Sequence, residues 1–137
     1  MPPIERRLDL SAPPRDVYRA VTAEWSRWWA KDAEPPRAVG EQGRLSGGHP
    51  GRMTLEALAL APGERAAYRV SGCEDPSWNG SIIAFLIHRN MGGTRLTLVH
   101  ERLPRPHSPG YIRAENAWTT RMASLKGYME RDAGQPA

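Results

Sequence analysis

The chain has 137 residues, 39% hydrophobic and 25% charged, which is the size and balance of one globular domain spanning 1–137 and speaks against disorder. Its formal charge of +4 comes from arginines scattered between Arg6 and Arg131, with only Lys31 and Lys126 as lysines; with no run of five like charges, a basic nucleic-acid-binding arm is excluded. A single cysteine, Cys73, excludes an internal disulfide and a cysteine-built metal site.

The start, MPPIERRLDL, lacks the basic and apolar regions of a secretory signal. No apolar stretch approaches the roughly 18 residues that span a membrane, so the expectation is a soluble cytoplasmic protein without a membrane partner. Ile4, Arg6, Leu8 and Leu10 alternate with Glu5, Arg7 and Asp9, predicting a strand within IERRLDLSA, residues 4–12. Pro13 and Pro14 suit the first turn of a helix, Asp16 suits its positive end, and Val17, Ala20 and Val21 form its apolar stripe. The tryptophans Trp25, Trp28 and Trp29 either continue that helix or form a second short one, sharing one face by their spacing. DAEPPRAVGEQG, with Pro35 and Pro36, then interrupts regular structure.

From residue 40 to 102 the helical period is absent. Apolar runs at Arg44 to Ser46, Met53 to Leu60, Arg65 to Val70, Trp78 to Arg89 and Thr94 to Glu101 are separated by SGGHPG, APG, SGCEDP and NMGG, the pattern of an antiparallel meander. The last element is a long helix opened by Ser108 and Pro109. Tyr111, Ala114, Trp118, Met122, Leu125 and Met129 form its apolar stripe, and Gly134 is its expected stop. Strand, one or two helices, about five strands and a long helix make an α+β domain in which helix must cover one sheet face.

Three stretches add a resemblance: WNGSIIAF from Trp78 to Phe85, GTRLTLVH from Gly93 to His100, and Trp118 followed by SLKGYME from Ser124 to Glu130, with Gly134 and Pro136 beyond and the Trp28–Trp29 pair before. In order and spacing the chain resembles the heat-shock-protein-90 ATPase activator homologue-like branch of the START-like (SRPBCC) superfamily. It departs from that pattern at Ser81, where threonine is usual, at Ala114 or Glu115, where cysteine is usual, and at Asp132–Ala133, where glycine is usual. The resemblance implies the helix-grip fold: a curved antiparallel sheet wrapped around a long C-terminal helix, with two short helices after the first strand. It also implies an internal hydrophobic cavity, and it brings a stress-response setting with it.

Strand alternation puts Ser81, Ile83, Phe85 and Ile87 on one side, and Thr94, Leu96, Leu98 and His100 likewise, which are the inward faces. The opposite side carries Ile82, Ala84, Leu86 and His88, apolar enough to suggest a homodimer through the Ile82/Ala84/Leu86 face. His100 is either a ligand's polar handle or a packed histidine tied to a protein partner. His49, His88 and His107 lack metal-ligand spacing, so no metal is expected, and no cofactor. Glu74 and Asp75 read as solvated turn acids. No G-x-S-x-G, H-E-x-x-H or phosphate-loop motif is present. The expected function is therefore a non-enzymatic binding domain for a small hydrophobic or aromatic molecule, with Trp29, Phe85, His100, Trp118, Met122, Trp78 and Tyr111 as the ligand-binding residues and no catalytic ones. The alternatives are a co-chaperone-like partner that stimulates an ATPase, and a cyclase or hydrolase working inside the cavity.

Overall fold

The computed structural model describes residues 3–137. Strand β1 (Ile4–Leu10) is followed by helices α1 (Pro14–Thr22) and α2 (Trp25–Trp28), then by β2 (Asp32–Glu34), β3 (Gln42–Ser46), β4 (Met53–Ala61), β5 (Arg65–Cys73), β6 (Ile82–Asn90) and β7 (Gly93–Glu101), and by helix α3 (Pro109–Arg131). The seven strands form one antiparallel sheet in the order β1-β7-β6-β5-β4-β3-β2. It curls as a half-barrel with α3 against it and the short helices at one end, so the helix-grip expectation holds.

The meander explains the faces. Ile83 lies opposite His100, Phe85 opposite Leu98 and Ile87 opposite Leu96 across β6 and β7, and all six are buried on the concave side. Ile82, Ala84 and Leu86 point the other way and stay partly exposed. Helix α3 meets the concave face with Tyr111, Ala114, Trp118, Met122 and Leu125, the stripe expected from the spacing.

The boundaries differ from the sequence reading where hydrogen bonds rather than apolar period set them. β1 ends at Leu10 because Ser11 turns into α3, where its N–H and hydroxyl donate to Glu130 at 2.9 and 2.8 Å. The segment read as a break contains β2, held on the sheet edge by Arg44, which donates to Asp32 and Glu34 at 3.1 and 2.9 Å, and by the Ser46 hydroxyl, which donates to Asp32 at 3.0 Å. Those residues are polar, so alternation could not reveal the strand. Trp78 lies in a 3-10 turn, Pro76–Trp78, and the following strand begins only at Ile82. The helical region before β2 is two helices, parted at Ala23 and Glu24.

Ser108 caps α3 as expected, accepting from the Tyr111 N–H at 3.3 Å. The helix ends at Arg131, three residues before the expected stop, with Asp132 in the left-handed conformation at φ 51°. Gly134 serves close packing instead. A Cβ there would collide with the carbonyl oxygen of Arg27, so glycine lets the tail lie directly on α2. The tail continues inward, with Lys31 N–H donating to Ala137 O at 2.8 Å and Ala137 N–H to Trp29 O at 3.1 Å.

The β6–β7 hairpin turns on Met91 and Gly92, both at positive φ (35° and 86°), the pattern of a two-residue type I′ turn that favours Asn-Gly. Met91 is fully exposed and bears that conformation without compensating contacts. Met91→Asn is therefore expected to stabilise the fold by about 0.5 to 1 kcal/mol, which thermal denaturation would register as a rise of roughly 2 to 4 °C in Tm. An unchanged or lower Tm would show that the turn is not strained at Met91.

Candidate functional site

Helix α2 has only four residues, too few to be stable alone, and its placement is fixed from outside. The carbonyls of Trp28 and Trp29 accept from the Arg121 guanidinium at 3.1 and 3.0 Å, and Trp28 O also accepts from the Ser124 hydroxyl at 2.7 Å. Both donors come from α3. The Gln135 N–H donates to Ser124 Oγ at 2.7 Å and its carbonyl accepts from Arg121 at 2.9 Å, so the tail closes the clasp.

This clasp presses three indoles into the interior, where they meet the other two. Trp29 stacks on Trp28 with ring centroids 5.1 Å apart, and tilts against Trp25 at 4.9 Å and Trp118 at 5.6 Å. Trp118 stacks with Trp78 at 6.2 Å. Phe85 stands edge-on to Trp28, Trp29, Trp118 and Tyr68, at 6.0 to 6.4 Å, and joins the group to the sheet. All these rings are buried.

Five of the seven residues expected at a ligand site, Trp29, Phe85, His100, Trp118 and Trp78, lie together in this cluster, and Tyr111 and Met122 flank Trp118 on the buried stripe of α3. They are packed against one another. A cleft of about 920 Å³ lies elsewhere, between α1 and the β2–β3 edge, lined by Tyr18, Thr22, Ala33, Pro36, Gln42 and Leu60, and none of the seven contributes to it. No pattern in the sequence marks this cleft, because β2 itself is not visible there.

The polar atoms inside the cluster form one directed chain. Indole N–H can only donate, so Trp118 Nε1, 2.9 Å from His100 Nδ1, requires that nitrogen to be unprotonated. Nε2 then carries the hydrogen and donates to Ser81 Oγ at 2.8 Å, and Ser81 in turn donates to the carbonyl of Trp78 at 2.6 Å. Both ring nitrogens are engaged, and burial pushes the pKa of His100 down to about 3, so the imidazole is neutral. Trp25 and Trp28 donate to the carbonyls of Val21 and Ala20, each at 2.8 Å, and the Tyr68 hydroxyl to Val21 O at 2.9 Å. Trp29 Nε1, on a ring 4% exposed, has no protein acceptor, and Trp78 Nε1 has none either and is buried.

Asp75 lies beside Trp78 in sequence and is 8% exposed, in contrast to the solvated turn acid expected from sequence. It accepts from Arg113 Nε at 3.0 Å and from Ser77 N–H and hydroxyl at 3.0 and 2.7 Å, and His49 Nε2 lies 3.2 Å from its Oδ2. Burial raises its carboxyl pKa, but the hydrogen bonds from Arg113 and Ser77 outweigh burial and hold it at about 2. The contacts tie the 3-10 turn to the β3–β4 loop and to α3. Cys73 is half-buried, and burial pushes its thiol up to about 11, so it stays protonated. Among the described residues no group of three or more His, Cys, Asp or Glu side chains is gathered to hold a metal, and no helix is long and apolar enough to cross a membrane.

The His100 chain has a pH signature. The unfolded chain binds a proton at this residue near pH 6.5 and the folded chain only near pH 3. Stability from this group is therefore fully present above pH 6.5 and is lost as pH falls to about 3, by up to about 1.4 kcal/mol per pH unit. In His100→Asn, where Oδ1 can accept from Trp118, urea denaturation across that window should show a shallower dependence than in the wild type; an equal slope would mean that His100 is not neutral in the fold.

Residues 11–130 match the family described as "Activator of Hsp90 ATPase homolog 1-like protein". No curated protein matches the chain. Among solved structures the fold is similar to the Aha1 dimer of Colwellia psychrerythraea, with TM-score 0.85 and 22% identity over 98% of this chain and 100% of that one. It is also similar to DynU16, from the dynemicin biosynthetic locus, with TM-score 0.80 and 16% identity over 100% of this chain and 50% of that one. CalU16 from Micromonospora echinospora gives TM-score 0.73 and 18% identity over 95% of this chain and 77% of that one. At these identities the structures speak for the fold alone, whereas the family match spans most of the chain, and the protein thus belongs to the Activator of Hsp90 ATPase homolog 1-like family.

Proposed function

We propose that the chain is a non-enzymatic binding module for a small apolar or aromatic molecule carrying one hydrogen-bond acceptor, held between the concave sheet and α3. The Trp78 N–H carries this reading: it is a buried donor without a protein acceptor, in a wall where the neighbouring His100 and Trp118 are both satisfied. Leaving such a donor unmet costs about 1–3 kcal/mol, which a ligand carbonyl oxygen would recover.

In this reading Trp29, Phe85, Trp78, Trp118, Met122 and Tyr111 supply apolar area. His100 does not grip the ligand but fixes the plane of Trp118 through Nδ1. The rings are in contact, so entry requires one to move. Trp29 and Met122, each 4% exposed, lie nearest to solvent among them apart from Tyr111 at 9%, and methionine readily repacks. A cavity-based cyclase or hydrolase would need a free base or nucleophile in the interior; the engaged His100 and the protonated Cys73 supply neither. A partner-protein role is the second reading, supported by the apolar strip on the convex side of the sheet, with ATPase stimulation as the version that family membership suggests.

Flavone, a planar aromatic ketone, is a suitable probe. Titration followed by tryptophan fluorescence is expected to saturate, and Trp78→Phe should weaken binding by about 5- to 10-fold, the worth of one hydrogen bond, while His100→Asn leaves the affinity within about twofold. Native mass spectrometry would show a 1:1 adduct. Absence of saturable binding, or equal affinity in a folded Trp78→Phe variant, would reject the reading.

A further inference from the structure

The convex face of the sheet has a charge pattern that the binding function does not use. Along β6 the outward apolar side chains are Ile82, Ala84 and Leu86, with His88 following, and the register gives each of the three one neighbour on either side. Ala84 lies between Ala67 of β5 and Val99 of β7, which continues the apolar strip across three strands. Ile82 lies between Arg69 of β5 and Glu101 of β7, and Leu86 between Arg65 and Thr97. At Ile82 the strip is therefore flanked by opposite charges, Arg69 on the β5 side and Glu101 on the β7 side; Arg69 also faces Glu56 of β4, and Arg95 stands further along β7 opposite His88. Arg65, Arg69 and Glu101 are exposed, and none makes an ion pair within 4.0 Å among the described residues.

We propose that this face binds a second copy of the chain about a two-fold axis running along β6. Such an axis keeps positions along the strand and exchanges its two sides. It stacks Ile82, Ala84 and Leu86 on their counterparts, and it carries Arg69 of each copy over Glu101 of the other, forming two symmetric ion pairs at the rim of an apolar centre. Face-to-face sheets pack about 10 Å apart with strands roughly aligned, a gap that long arginine and glutamate side chains span. An axis perpendicular to β6 would instead keep β5 of one copy over β5 of the other and gain no such exchange. The charges thus select one arrangement, and the partner they fit is the chain itself.

Sedimentation equilibrium tests this directly. The wild type is expected to show twice the 15.3 kDa chain mass, whereas Arg69→Glu and Glu101→Arg, each of which opposes like charges at both rim contacts, should weaken association at least about tenfold. The double variant Arg69→Glu/Glu101→Arg restores opposite charges and should recover the dimer. Ala84→Glu, which sets two carboxylates face to face on the axis, should be monomeric. Circular dichroism and Tm confirm that each variant is folded. A monomeric wild type, a dimer indifferent to the single exchanges or to Ala84→Glu, or a double variant that stays monomeric would each overturn the proposal.

Discussion

The interior depends on the short helix α2 being held against α3. Left alone, four residues would neither stay helical nor bury three indoles, yet Arg121 and Ser124, both bonded in turn to the tail at Gln135, engage the carbonyls at its end. With these bonds made, Trp28 and Trp29 have one available direction, into the concave sheet. Everything else in the aromatic group follows from their arrival: Phe85 meets their edges, Trp118 meets Trp29, and Trp78 stacks on Trp118. The indoles are the structural mass of the domain as much as a candidate binding wall.

Packing so many rings together confronts the fold with their polar edges, since each buried N–H demands an acceptor. Helix α1 answers for two of them with carbonyls from Ala20 and Val21. For Trp118 the acceptor is a histidine nitrogen, which commits His100 to one tautomer and to neutrality, with Ser81 closing the chain. A histidine in a cavity-shaped fold invites a catalytic role; here Trp118 takes up its one lone pair and Ser81 accepts its N–H. Trp78 and Trp29 are the two indoles whose N–H meets no protein acceptor, and of the two only that of Trp78 is sealed from solvent.

Much of this was legible in the sequence. Alternation in GTRLTLVH and in SIIAFLI assigned Phe85 and His100 to the concave side, and the four-three-four spacing of Trp118, Met122, Leu125 and Met129 placed the α3 stripe; both are solvent-partition patterns and need no tertiary knowledge. What escaped was set by contacts distant in sequence. β2 is held by the Arg44, Asp32 and Glu34 bonds, the burial of Asp75 by Arg113 and His49, and the role of Gly134 by the backbone of Arg27, far earlier in the chain. The residues expected to line a cavity lie together in space, but whether facing rings touch or stand apart depends on where α2 sits, and no local pattern records that.

The sheet order also bears on how the chain reaches its fold. The strands from β2 to β7 can assemble by successive hairpins, each a local event. β1 cannot: its register pairs Ile4 with His100, so the first strand waits for the last, and the loop it closes contains all the other strands and both short helices. Such closure is slow, because its entropy is lost before its contacts are gained. On the ribosome the first strand is made long before its neighbour exists. Its polar composition, with Glu5, Arg6, Arg7 and Asp9 interleaving the apolar residues, is suited to that interval, keeping an unpaired strand soluble until β7 arrives.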